Sequence, residues 1–202
     1  MTKKLLIPVL FLLAANMTFA QRFDGGALLG LNATQVEGDT YKGYHKPGLE
    51  AGFYVQTDIA PAVFIAGEIK YSQKGARKKV TTKDPTKYIM RLNYIDLPVY
   101  MAFRTSEKSS VIAGVSPGFL ISGKEFDEYG ELPPEDQNEF NTFDLEPLLG
   151  FQFDFMENLK VDLRFSLSVV PIRGKPVNTN YYWQNNQFNN VISLGLYYQI
   201  NR

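Results

Sequence analysis

From about residue 24 to the end, apolar and polar side chains alternate with a period of two. No stretch shows the three- and four-residue spacing of an amphipathic helix. Eight segments carry the alternation, near 24–34, 47–58, 62–74, 87–104, 109–123, 141–156, 158–171 and 188–201. Each is rich in Val, Ile, Leu, Phe or Tyr and bounded by polar connections with Gly or Pro, which predicts eight β-strands. Successive side chains of a strand point to opposite faces. In 158–171, Leu159, Val161, Leu163, Phe165, Leu167 and Val169 share one face, and Lys160, Asp162, Arg164, Ser166 and Ser168 the other. In 188–201, Ile192, Leu194, Leu196, Tyr198 and Ile200 oppose Val191, Ser193, Gly195, Tyr197 and Gln199. The recurring pattern is one bulky apolar face and one face of small residues, tyrosines and a few charges.

Two architectures give this pattern, and each is the other turned inside out. A soluble barrel or sandwich points the apolar face inward, whereas a transmembrane barrel points it at lipid and fills a narrow lumen with polar and small side chains. Three features favour the second. The polar faces carry Gly and Ser (Gly48, Gly52, Gly114, Ser116, Gly118, Gly150, Ser166, Ser168, Gly195) where a soluble surface would carry Lys and Glu. Aromatics fall near strand ends on the apolar face (Tyr71, Phe103, Phe119, Phe143, Phe155, Tyr198), where interfacial girdles sit. Connections alternate between long (35–46, 75–86, 124–140, 172–187) and short (59–61, 105–108, 156–158), the rhythm of external loops and periplasmic turns. The expectation is an all-β, eight-stranded antiparallel up-and-down transmembrane β-barrel in a bacterial outer membrane, too narrow for an open pore. Pro98, Pro117 and Pro147 fall inside strands, where each removes a ladder donor.

Residues 1–20 read differently from the rest. Lys3 and Lys4 precede an apolar run from Leu5 to Ala15, and Thr18-Phe19-Ala20 offers the small residues of a cleavage site. This predicts a signal peptide at 1–20 and a barrel domain at 21–202. Losing Lys3 and Lys4 from 21 basic residues leaves 19 against 21 acidic, too near neutral for a nucleic-acid binder. With no cysteine, disulfide scaffolds and thiolate metal sites are excluded.

Several pieces lie in the order found in the PorT-type outer-membrane β-barrel family of Bacteroidota-like bacteria, which the chain resembles. They are Gly30-Leu31-Asn32, Gly48-Leu49-Glu50-Ala51-Gly52, Glu68-Ile69-Lys70-Tyr71-Ser72-Gln73-Lys74-Gly75 and Tyr94-Ile95-Asp96-Leu97-Pro98. The resemblance covers residues 30 to 98 and implies a small barrel mostly without assigned activity. The family's association with protein secretion is not carried over.

Candidate chemistry is sparse. His45 is the sole histidine, and nothing in the spacing ties it to Ser72 or Ser122 as a hydrolytic rim site would require. No cofactor or metal is implied, and the chain reads as non-enzymatic. If the polar faces point inward, the lumen holds a network of Glu50, Glu68, Lys70, Asp96, Glu146, Asp162 and Arg164, with Asp154 and Lys160. Confined charges persist only when paired. The second long connection with its flanks is basic (Lys74, Arg77, Lys78, Lys79, Lys83, Lys87), and the third is acidic (Glu125, Asp127, Glu128, Glu131, Glu135, Asp136, Glu139). These loops could attract one another, or the basic one could hold lipopolysaccharide phosphates. In the fourth, Tyr181, Tyr182 and Trp183 stand among amides as a possible sugar or protein contact. Ser193, Gly195, Tyr198 and Ile200 fit the C-terminal spacing read by the barrel-assembly machinery. Expected partners are therefore outer-membrane lipid, lipopolysaccharide and that machinery, with no nucleic acid and the external ligand unknown. The rival functions are a soluble secreted lipocalin-like ligand carrier, a rim lipid hydrolase and a component of a surface protein-secretion system.

Overall fold

A computed structural model of the chain describes residues 23–39, 41, 43–82, 84–133, 138–174 and 186–200. The predicted signal peptide and the trio Tyr181, Tyr182 and Trp183 lie outside these. The strands are β1 (Phe23–Glu37), β2 (Lys46–Ala60), β3 (Val63–Arg77), β4 (Ile89–Asp96), β5 (Val99–Arg104), β6 (Ser109–Phe126), β7 (Phe143–Met156), β8 (Leu159–Leu167), β9 (Arg173–Gly174) and β10 (Asn186–Gln199). Each of the long strands pairs antiparallel with its sequence neighbour, and β1 pairs with β10, so the sheet closes on itself. β4 and β5 are halves of one long strand, since both lie between β3 and β6. The result is an eight-stranded up-and-down barrel, with the two-residue β9 attached to β10.

The prolines interrupt the ladder without shifting it. Lys70 faces Asp96 and Gly67 faces Val99, so the β3 register is continuous across Leu97-Pro98. The Pro98 carbonyl still accepts from Glu68 N–H at 2.9 Å, and the Pro117 carbonyl from Leu97 N–H at 2.8 Å. Only the missing N–H of each proline is lost.

Side-chain placement decides between the two polarities. Phe151, Phe165 and Leu196 are 43%, 44% and 49% exposed, whereas Glu68 and Arg164 are 7% and 3% exposed. The apolar face is outside, carried by residues such as Leu29, Leu49, Phe53, Ile69, Leu149, Leu163 and Leu194. On the closing seam the inward positions Gly30 and Gly195 lie opposite each other. A Cβ on Gly30 would come within 2.7 Å of both the Glu50 carboxylate and the Leu194 carbonyl, so this wall must be bare to admit the acid.

The two ends differ. Short turns follow β2, β5 and β7, while long connections follow β1, β3, β6 and β8. At the turn end a vestibule of about 610 Å³ is lined by Gln56, Asp58, Arg104, Lys108, Asp154 and Lys160 among others. At the long-loop end Val36, Ala76, Met90, Leu92, Tyr94 and Ile172 pack into an apolar cap, flanked by Tyr88, Leu120 and Phe140. Ile172 is held there by two backbone bonds, its N–H donating to Gln187 and its carbonyl accepting from Asn141.

Candidate functional site

The lumen is organised in tiers. Nearest the turn end, Tyr54 and Tyr197 meet with ring centroids 5.3 Å apart over Leu28, beside a cluster of Phe64, Ala66, Tyr100, Ala102, Ile112 and Leu148. Above it Arg164, on β8, forks between two acids. Its Nε and Nη2 donate to Asp162 at 2.7 and 2.9 Å, and its Nη1 and Nη2 reach Glu68 of β3 at 3.0 and 2.7 Å. The guanidinium carbon lies 4.5 Å from the Tyr100 ring centroid and 5.2 Å from that of Tyr197. Gln152 donates to Asp162 at 2.7 Å, and the Tyr197 hydroxyl to Glu68 at 3.0 Å.

In the next tier Lys70 meets Glu50 at 2.7 Å, and Lys74 bridges Asp96 and Glu146 at 3.0 and 2.9 Å. Ser166 donates to Glu146 at 2.8 Å. Higher still, Asp144 accepts from Ser168 at 3.0 Å and Asn189 at 2.8 Å. Within these tiers the acids Glu50, Glu68, Asp96, Asp144, Glu146 and Asp162 outnumber the cations Lys70, Lys74 and Arg164, so two of these three cations each serve two carboxylates and Asp144 accepts from neutral donors. The cavity left among Glu50, Lys70, Asp96, Ser116 and Glu146 is about 20 Å³, room for a single water.

All seven residues expected to form the network lie inside the barrel. Asp154 and Lys160 instead line the vestibule, where Lys160 donates to Gln56 at 3.0 Å. Two further charges belong to the network. Lys74, which by its neighbours reads with the basic loop, is buried at the heart of the network, and Asp144 of β7 joins it. Continuing the alternation of Glu68, Lys70 and Ser72 by one step would have placed Lys74.

At the long-loop end Arg173, on β9, lies across the barrel mouth. Its Nη1 and Nη2 donate to Glu125 at 2.8 and 2.9 Å, its Nε donates to Gln187 at 2.7 Å, and it stacks 4.6 Å from the Phe140 ring centroid. The Tyr88 hydroxyl donates to the same carboxylate. Burial, then the hydrogen bond and charge of Glu125, push the Tyr88 hydroxyl well above its ordinary pKa, and Glu125 raises Arg173 despite its burial. The expected attraction between the second and third loops takes a different form among the described residues. Lys78 pairs with Asp84 and Lys124 with Glu131, each within one loop region, and only Tyr88–Glu125 bridges the two.

His45, Ser72 and Ser122 do not converge. Ser72 is buried in the lumen and accepts from Asn32 at 3.1 Å, Ser122 faces Asn93 on the outer wall, and His45 sits in the β1–β2 connection. Of the C-terminal positions, Tyr198 and Ile200 point outward, while Gly195 is inside against Tyr197.

The comparisons with known proteins also find an outer-membrane β-barrel. The model of the outer membrane protein beta-barrel domain matches residues 17–173. The chain belongs to that family. This outer-membrane barrel is similar in structure to Ail, the attachment invasion locus protein of Yersinia pestis, solved in complex with the heparin analogue sucrose octasulfate. That match has a TM-score of 0.52 at 15% identity, covering 89% of this chain and 99% of Ail. Neisserial surface protein A (NspA) gives 0.50 at 14% identity, covering 87% and 96%. At such identities the likeness speaks for the fold. Among curated proteins, none matches the chain. The barrel's location is the bacterial outer membrane, and its outward apolar band is the surface that meets lipid.

Proposed function

We propose that the protein is a small non-enzymatic outer-membrane barrel whose lumen is a structural plug and whose contacts are made by its four long loops, facing the cell exterior. The observation that carries this reading is the lumen itself. The Arg164–Glu68–Asp162 fork and the Lys74–Asp96–Glu146 bridge span it from wall to wall and leave about 20 Å³. Neither a solute path nor a ligand calyx of carrier type fits such an interior. The scattered positions of His45, Ser72 and Ser122 support a role without catalysis.

Around this core the remaining roles follow from position. The outward aromatic and aliphatic band holds lipid, lipopolysaccharide surrounds the long-loop end, and Gly195, Tyr198 and Ile200 give the assembly machinery its last-strand pattern. Residues 1–20 direct export, and the pieces from Gly30 to Pro98 support a PorT-type affinity within the family. Tyr181, Tyr182 and Trp183 are proposed to make an external contact.

Two measurements test the reading together. In planar bilayers the refolded protein gives no stepwise conductance, and steady open channels would refute the plug. In intact cells chymotrypsin cleaves at Tyr129, which is 91% exposed on the third loop, and protection of that site would refute the orientation.

A further inference from the structure

We propose that the outer wall of β3, β4 and β6, just above the apolar band, is a binding site for the phosphates of an anionic glycolipid in the outer leaflet. The proposal rests on the orientation given above, with the long loops outside.

The register builds the site in rows. Tyr71, Ile95 and Phe119 lie side by side at the top of the apolar band. One step higher come Gln73, Asn93 and Ser122, with the Tyr71 hydroxyl donating to Asn93 Oδ1 at 2.8 Å and Gln73 Nε2 to the same oxygen at 3.2 Å. Higher again, Arg91 stands directly opposite Lys124, and Arg77 lies diagonally from Arg91 on the next strand. Reading upward, the wall passes from an apolar row to amides to cations, with Ile89 and Phe126 beside Arg77 in the highest row. A phosphorylated amino sugar carrying acyl chains presents its groups in that same order, with chains below, amides at the middle and phosphates on top.

Charge sharpens the argument. Residues directly opposite on one face of a sheet have Cβ atoms about 5 Å apart, and like charges there repel unless an anion sits between them. Among the described residues no carboxylate is within ion-pair distance of Arg77 or Arg91. Lys124 touches Glu131 at 2.9 Å in a pair that is nearly half exposed. Arg91 is steadied by the Phe126 ring, 5.3 Å from its guanidinium carbon, and guanidinium suits bidentate phosphate contact. The patch is also one-sided. On the β1–β10 seam the rim positions are Gln35, Asn190 and Glu37, so this is not a girdle repeated around the barrel. Its continuity with Tyr71, Ile95 and Phe119 favours a phosphate carried by a lipid over one free in solution.

The test uses refolded full-length protein in detergent, with native mass spectrometry reading the binding of bisphosphorylated lipid A and of its dephosphorylated form. Wild type should prefer the phosphorylated lipid by at least tenfold. Each cation near a charged lipid surface is worth about a fivefold gain, so the Arg77→Gln/Arg91→Gln/Lys124→Gln variant should lose on the order of 100-fold. Lys108→Gln, at the opposite end, should bind as wild type does. Heat-modifiable gel migration of each variant verifies that the barrel has formed. Equal binding of the two lipids, or an unimpaired triple variant that is correctly folded, overturns the proposal. Competition by millimolar inorganic phosphate as effective as by lipid A overturns the lipid source. Orientation is read separately by chymotrypsin at Tyr129: protection refutes the outward reading, whereas cleavage with an unimpaired triple variant refutes the phosphate site alone.

Discussion

Replacing Arg164 by Met keeps an unbranched, shorter apolar stem and removes the charged guanidinium. Four hydrogen bonds of 2.7 to 3.0 Å disappear at once, leaving Glu68 and Asp162 as two carboxylates facing one buried space. Of the bonds made to them, the 3.0 Å donation from Tyr197 and the 2.7 Å donation from Gln152 survive, and both donors are neutral. Removing one partner of a buried pair costs about 3–5 kcal/mol, because the uncompensated charge stays behind. The two ring contacts add to that loss, since a desolvated cation–π contact is worth up to about 2 kcal/mol, though these effects overlap and do not sum. Arg164→Met should therefore lower the free energy of unfolding by about 3–5 kcal/mol, read from reversible urea unfolding in detergent micelles by circular dichroism. The triple variant Glu68→Gln/Asp162→Asn/Arg164→Met removes the stranded charges and should recover at least half of the loss. A single variant within about 1 kcal/mol of wild type would refute the premise that the fork is desolvated. A triple variant as unstable as the single one would show that packing, rather than charge, carries the effect.

Other expectations are more local. A Cβ at Gly48 would lie 2.0 Å from the Gln73 backbone carbonyl, while one at Gly67 meets nothing within 4 Å. Gly48→Val should abolish the heat-modifiable band and Gly67→Ala should leave it unchanged; the reverse result would disprove the β2–β3 packing. Tyr88 has a raised pKa in the fold, so its contribution is complete below its ordinary value of 10.0 and fades as the pH climbs above it. Wild type should lose stability between pH 9 and 11 more steeply than Tyr88→Phe, with urea midpoints as the readout, and parallel curves would rule out the Tyr88–Glu125 bond as the source.

The strands and their faces were legible because the alternation is strict where both sides of the wall are demanding. From Phe143 to Phe155 and from Leu159 to Val169 a one-residue slip would send phenylalanines inside and charges into lipid, so sequence and register fix one another. The alternation places the prolines inside strands but does not show how the ladder survives them, since a propensity argument counts the missing donor but not the carbonyls of Pro98 and Pro117 that still accept. Lys74 was hidden by its neighbours. Next to Arg77, Lys78 and Lys79 it reads as one more loop charge, although the alternation running from Glu68 carries it inside, where its acid partners lie on β4 and β7. The cap was beyond reach for a related reason. Ile172 and Arg173 belong to no periodic run and are placed by contacts with Gln187, Glu125 and Phe140, all distant in sequence or on other strands.

What distinguishes this barrel from its soluble mirror image is the reach of its ion pairs. Glu68 lies on β3 and Arg164 on β8, while Lys74 on β3 meets Glu146 on β7. β3 is a neighbour of neither β7 nor β8 in the sheet. Charges on the outside of a cylinder can meet those of an adjoining strand, but the barrel itself separates them from strands on the far side. Contacts of 2.7 and 2.9 Å between non-adjacent strands are possible only through the interior. Each such pair therefore fixes the polarity of the whole fold and ties opposite walls together, a constraint that neighbouring hydrogen bonds cannot supply. The acid excess follows from the same geometry. A lumen this narrow has no space for a cation opposite every carboxylate, so Lys74 and Arg164 are shared, and losing either one unbalances two acids rather than one.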